Sequence, residues 1–307
     1  MSEKSIQTRL VEWPTLAMIV ACYTLWALAT TWLAGLWLPL GFVAAALAIG
    51  LQSSLQHEIL HGHPFRGKAL SEALAFPALG LLIPYQRFRD LHLAHHRDSI
   101  LTDPYDDPES NYLDPAVWEA LPGWKQHLLA MNNTLLGRMV LGPAVSQVSF
   151  MKADLALIRA GERRVLSGWL WHIPGVILVL YWLAAYGQMP ILLYLLAAYC
   201  GLSLLKIRTF LEHRAHERAG GRTVIVEDRG LLALLFLNNN LHVVHHMHPA
   251  VPWYLLPSLF RQNRERYLSR NDGYYYRSYG EIFRKHLLRT KDAVPHPLWR
   301  RKDANKG

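Results

Sequence analysis

Apolar residues run in four long blocks along this chain, each close to the roughly 20 residues that a helix needs to cross a bilayer. Residues 13–33 interrupt their apolar run only with hydroxyls such as Thr24 and Thr30, which can bond back to their own helix. Gly35-Leu36-Trp37-Leu38-Pro39 breaks this block, and residues 40–60 form the second. Residues 165–186 and 189–210 repeat the arrangement around Gly187-Gln188. The pattern predicts an all-α integral membrane protein, with four transmembrane helices paired as two hairpins. The remaining segments, 61–164 and 211–307, are polar or mixed and predict a helical cap within a single domain covering 1–307.

Within the cap, residues 69–88 are apolar but broken by Pro77 and Pro84, which predicts an interfacial or re-entrant segment. A Pro- and Asp-rich loop follows over 98–122. Residues 124–160 mix apolar and basic positions, as helices lying on a membrane surface do. Residues 231–237 are apolar but too short to span, and predict a buried or interfacial helix.

Composition and charge orient this frame. The chain has 307 residues, 51% of them hydrophobic, with 11 Trp and 14 Tyr, rings that favour membrane interfaces. The net charge is +9, yet both hairpin tips lack Lys and Arg while the other connections are rich in them. The positive-inside rule then puts the N-terminus, the cap and the tail in the cytoplasm, as for a bacterial inner-membrane protein. Long spans make an anionic membrane, and no nucleic acid, the partner of the basic surface. The two cysteines, Cys22 and Cys200, sit inside apolar spans, so neither a disulfide framework nor a CxxC metal site is expected. The first long apolar run lacks a small-residue cleavage pattern and reads as a retained anchor.

Three histidine clusters stand out: His57-Glu58-Ile59-Leu60-His61-Gly62-His63, His92-Leu93-Ala94-His95-His96, and His242-Val243-Val244-His245-His246-Met247-His248. In a helix, residues three and four apart share a face, so each cluster can aim its imidazoles at one place. At this His frequency a given HxxHH arises by chance in roughly one window per several thousand. Neutral imidazole ligates Zn, Cu, Fe and Ni. A single zinc takes three or four ligands, so these clusters oversupply one metal and suit two. Two metals with open positions beside a bilayer fit oxygen chemistry on an apolar chain, whose C–H bonds amino-acid side chains cannot oxidise.

The motifs His57-x-x-x-His61, His92-x-x-His95-His96 and His242-x-x-His245-His246 resemble the histidine boxes of membrane fatty acid desaturases, a superfamily that includes alkyl hydroxylases, carotenoid ketolases and olefin-forming decarboxylases. The resemblance covers nearly the whole chain. It implies two non-haem Fe ions, O2 as co-substrate, and a lipid or fatty acyl substrate. It also implies a separate electron carrier, a ferredoxin, rubredoxin or cytochrome b5-like protein; the chain has no HPGG haem motif. Carried over, the ligands would be His57, His61, His92, His95, His96, His242, His245 and His246. His213, which directly follows the fourth span, is the best fit for a ninth. Asn238, one helical turn before His242, is a weaker candidate, as are His63, His216 and His248. Glu58, Glu212 and the acidic run Asp103–Asp107, with Asp103 foremost, are candidates to hold the second ring nitrogen of a ligand. The extra His63, and a first box closer to that of alkane hydroxylases, separate this chain from many acyl-CoA desaturases. Fatty acyl desaturation is the leading reaction; hydroxylation, ketolation and oxidative decarboxylation are the alternatives.

Two other classes compete. His57-Glu58-Ile59-Leu60-His61 also matches the HExxH site of zinc proteases. That reading needs a carboxylate in a later span, and the third and fourth spans hold none. A metal transporter would place ionisable residues at mid-membrane, whereas these histidines lie at span ends.

Overall fold

The computed structural model describes residues 11–97 and 99–299. The charged stretch before Val11 and the basic end after residue 299 lie outside the described residues. The chain is helical almost throughout. Its helices are α1 Trp13–Leu36, α2 Leu38–Leu60, α3 Lys68–Ala75, α4 Tyr85–His95, α5 Pro115–Ala120, α6 Gly123–Asn132, α7 Leu135–Val140 and α8 Gly142–Arg159, followed by α9 Arg163–Ala185, α10 Ile191–Thr209, α11 Leu231–Leu235, α12 His242–Met247, α13 Leu256–Gln262, α14 Arg264–Arg270 and α15 Tyr279–His286. Two two-residue strands, β1 Ile225–Val226 and β2 Tyr275–Tyr276, pair in parallel with Ile225 opposite Tyr275.

Four of these helices, α1, α2, α9 and α10, are long and apolar enough to cross a membrane. Large apolar side chains such as Val20, Trp32, Leu170, Ile177 and Leu192 are exposed on them, as a lipid-facing surface requires. The central contact is between α2 and α10. Ala45, Ala46, Ile49, Ala197 and Ala198 are buried there. A Cβ added at Gly201 would lie 2.7 Å from Ile49 Cγ2 and 3.1 Å from Ala46 O. Small residues let the two backbones approach, which is how helices associate without a hydrophobic drive between them.

The hairpin tips interlock. Residues Ala29–Leu33 of α1 form a π-helical turn, which frees a carbonyl. Thr30 O accepts from Gln188 N at 2.8 Å, and Thr30 Oγ1 accepts from Trp182 Nε1 at 3.1 Å. The second hairpin thus satisfies the backbone that the first leaves open.

The segment between α3 and α4 is irregular and buried between spans, with Leu79 fully inaccessible. Backbone without a helix at this depth needs side-chain partners. Tyr194 Oη donates to Leu79 O at 2.7 Å, His172 Nε2 lies 2.9 Å from Leu81 O, and Leu79 N donates to Gln52 Oε1 at 3.2 Å. Gly175 of α9 admits the loop: a Cβ there would meet Phe76 O at 2.5 Å.

The rest of the chain caps the ends of α2 and α10 opposite the hairpin tips. Tyr274, in an aromatic run whose role the sequence leaves open, is buried and donates to Leu211 O at 2.7 Å. The apolar run after Gly230 is only partly covered, since Leu231 is exposed while Ala233 is buried. His296 is buried against Thr102 and Tyr112.

Candidate metal centre

Four parts of the chain deliver the imidazoles. The last turn of α2 carries His57, and His61 caps that helix. Gly62 then adopts φ +102, a left-handed position that ends the helix and turns the chain away. The last turn of α4 carries His92 and His95, with His96 as its cap. The short α12 carries His242, His245 and His246. His213 enters from the segment after α10, where it bridges to Thr223.

The fold sorts these nine into two groups, His57, His61, His92, His96 and His245 in one and His95, His213, His242 and His246 in the other. Within each group one nitrogen from every ring lies within 4.8 Å of the others. The closest approaches are between Nε2 atoms: His95 to His213 at 2.9 Å, His92 to His96 at 2.9 Å, His96 to His245 at 3.1 Å and His213 to His242 at 3.2 Å. Two imidazole lone pairs facing at that distance repel unless a proton or a cation lies between them. Nitrogen ligands about 2.1 Å from a shared metal would stand roughly 3 Å apart at right angles. His61 Nε2 is buried with no hydrogen-bond partner among the described residues. The donor set therefore fits two borderline metal ions such as iron or zinc.

Outer groups hold several rings by Nδ1, which leaves Nε2 aimed inward. Asp107 Oδ1 is 2.7 Å from His95 Nδ1, Glu109 Oε1 is 3.0 Å from His92 Nδ1, and Asn239 Oδ1 is 3.0 Å from His242 Nδ1. Glu58 Oε1 stands 3.6 Å from His57 Nδ1, and Glu212 Oε1 3.8 Å from His242 Nδ1. Asp107 is itself fixed, since its Oδ2 accepts from Thr102 N at 2.8 Å.

Burial, reinforced by neighbouring imidazoles, pushes His61, His96, His213, His242 and His245 well below the usual histidine range. They stay neutral, the form that offers a lone pair to a metal. His95 differs. Burial alone would lower it, but Glu109 and Asp107 outweigh burial and raise it to about 9. A cation would displace that proton.

Several candidates fall outside the cluster. His63 turns away and its Nδ1 meets Glu12 Oε2 at 2.8 Å. His216 faces Asp272 at 3.3 Å, and His248 lies edge-on to Tyr267. Asp103 caps a turn, accepting from Tyr105 N and Asp106 N, so within that acidic run Asp107 reaches a ring. Asn238 donates to Trp253 O at 3.1 Å and does not approach a histidine. Its neighbour Asn239 does so, because Leu237 and Asn238 both take left-handed φ angles and the helical spacing to His242 does not hold. Asn239 and Glu109 are the residues that sequence reasoning passes over. Neither sits at a regular spacing from its partner.

A sequence profile described as fatty acid desaturase matches residues 30–279. The chain belongs to the fatty acid desaturase family. A beta-carotene ketolase from a Paracoccus species is 25% identical over 224 residues, an alignment that covers 69% of this chain and 74% of the ketolase. The family membership and this relative make the protein a desaturase- or hydroxylase-like oxidoreductase of membranes.

As a member of this family, the chain has no use for the protease reading. Glu58 is buried and accepts from Trp253 N at 3.0 Å, so it does not face an open site as a general base would. The desaturase-family fold also leaves a cavity of about 600 Å³ beside the cluster. Its wall includes His92 and His213 together with apolar side chains of α2, α4, α8 and α10, among them Ile49, Leu91, Phe150 and Leu202. That volume suits a small-molecule or lipid-chain ligand.

Proposed function

We propose that this protein is an O2-dependent, non-haem di-iron oxidoreductase that acts on the hydrocarbon chain of a lipid or fatty acid, with desaturation as the leading reaction. The observation that carries this reading is the joint placement of His92 and His213. Each belongs to a different imidazole group, and both face one cavity with apolar walls. His57, His61, His92, His96 and His245 would hold one iron, and His95, His213, His242 and His246 the other. Iron held there would supply oxygen activation for attack on an unactivated C–H bond.

The chain's own residues do the rest. Asp107, Glu109 and Asn239 fix ring orientation by accepting from Nδ1. The wall formed by Ile49, Leu91, Phe150 and Leu202 binds the chain by burial of apolar surface and excludes water from the reacting carbon. The uncharged hairpin tips support a cytoplasmic cap, in a bacterial inner membrane, where a soluble ferredoxin, rubredoxin or cytochrome b5-like carrier would dock on the basic surface. His216 and His248 remain outer residues in this reading, and the domain spans the whole chain.

Ketolation is the second reading, favoured by the name of the Paracoccus relative. The test is metal analysis of the purified protein joined to lipid profiling of cells with and without the gene. Two irons per chain and a lipid that loses two hydrogens support desaturation. Gain of one oxygen supports hydroxylation, and a carotenoid that gains a carbonyl supports ketolation. A protein that turns over substrate without iron would sink the di-iron reading.

A further inference from the structure

The cavity beside the histidines has a charged end. Five cations line the cavity: Arg87 on α4, Arg138 on α7, Lys206 and Arg208 on α10, and Lys291 after α15. Three are engaged. Arg87 pairs with Asp154. Arg208 Nη1 lies 2.8 Å from Glu212 Oε1, and Lys291 Nζ donates to His213 O at 2.6 Å with Asp292 at 3.7 Å. Arg138 donates only to neutral groups, Asn132 O at 3.0 Å and Asn111 Oδ1. Among the described residues Lys206 makes no hydrogen bond and no ion pair. It is half-buried and lines the cavity.

Each carboxylate of the wall is in contact with another group, and none is in contact with Lys206 or Arg138. Asp107 meets His95, Glu109 meets His92, Asp154 forms a two-point pair with Arg87, and Glu212 meets Arg208. An ammonium at the end of a span, on the wall of a largely apolar cavity, is costly to maintain without a counter-charge. The missing partner is an anion that enters with an apolar chain. Lys206 on α10 and His213 on the segment after it both line this cavity.

We propose that the substrate is an unesterified fatty acid, and that Lys206 and Arg138 bind its carboxylate inside the cavity. This builds on the reading of the cavity as the substrate site and concerns binding. The carboxylate then anchors the chain close to the imidazoles, so the carbons nearest the acid lie beside them. A hydrocarbon-only substrate would leave both cations without an anion in contact.

The test measures equilibrium binding of radiolabelled palmitate, methyl palmitate and hexadecanol to the iron-loaded protein in phosphatidylcholine nanodiscs. Palmitate is expected to bind at least about ten-fold more tightly than its methyl ester, the scale of one charge-assisted hydrogen bond. Lys206→Met should remove most of that preference, leaving methyl palmitate binding unchanged as a sign that the cavity is intact. Lys206→Arg should keep it, and Arg138→Gln should weaken it. Equal binding of acid and ester by the wild type, or equal losses for both in Lys206→Met, would overturn the proposal. Lysophosphatidate binding more tightly than palmitate would assign the cations to a phosphate headgroup and also overturn it. Iron content is read in the same samples. Full iron with no preference for the acid sinks this proposal alone, whereas a preference for the acid in a protein that takes up no iron sinks the metal reading and leaves this one standing.

Discussion

His95 and Asp107 are twelve residues apart and meet at 2.7 Å, Nδ1 to Oδ1, with both side chains 1% exposed. The contact links the second histidine box to a loop that carries no metal-ligand motif. Asp107→Asn keeps the shape and removes the charge that holds the ring. It should weaken metal binding by about ten- to a hundred-fold, which competition with a chromogenic chelator would measure. Unchanged affinity would show that the carboxylate only closes the loop.

His61 and His63 separate two roles within one box. His61→Ala should remove metal from the group that contains it, read as metal per chain by mass spectrometry. His63→Ala should keep the metal and lose the contact to Glu12, which closes the base of the first hairpin. A loss of about 1–3 kcal/mol in unfolding stability is expected.

The asparagine run gives a sharper contrast. Asn239→Ala should lower metal occupancy, because His242 loses the group that orients it. Asn238→Ala should leave the metal in place. It forces alanine to φ +55 and breaks the bond to Trp253 O, at a cost of about 1–2 kcal/mol in stability. If both variants lose metal equally, the turn as a whole matters and not the one amide.

At the crossing of α2 and α10, Gly201→Ala should destabilise the protein by about 1–3 kcal/mol, since Ile49 and the backbone at Ala46 must yield. The helices that carry His57 and lead to His213 would be pushed apart. Thermal unfolding and metal content should therefore fall together.

Ser149 lines the cavity on α8. Ser149→Trp should fill the space and suppress turnover of long chains while metal content stays at the wild-type level. Loss of metal in this variant would mean that the cavity and the cluster are one packed unit.

Much of this arrangement was legible in the sequence. Four spans follow from apolar length alone, and the two imidazole groups of the fold combine the eight box histidines with His213, the candidate that follows the fourth span. What supports them was legible only in part. The Asp103–Asp107 run offers acids without marking which one reaches a ring, and Glu109 lies in the same loop with no period that ties it to His92. Asn239 replaces Asn238 because two left-handed residues displace the register. The burial of the loop between α3 and α4 depends on Gln52, Tyr194 and His172, which come from three different spans and share no local pattern. Lys206 belongs to no motif, and its lack of a contacting counter-ion is visible only when every acid of the wall is placed.

The scattered origin of the cluster also dictates an order of events during biosynthesis. His57 leaves the ribosome early and His246 late, with all four spans made between the chain's start and the last box. Neither group has its full set of rings until α12 has been synthesised and has folded back against α2 and α4. Metal is therefore expected to load after membrane insertion, into a finished but empty protein. Cells starved of the metal should accumulate that species in the membrane, ready to be activated without new translation.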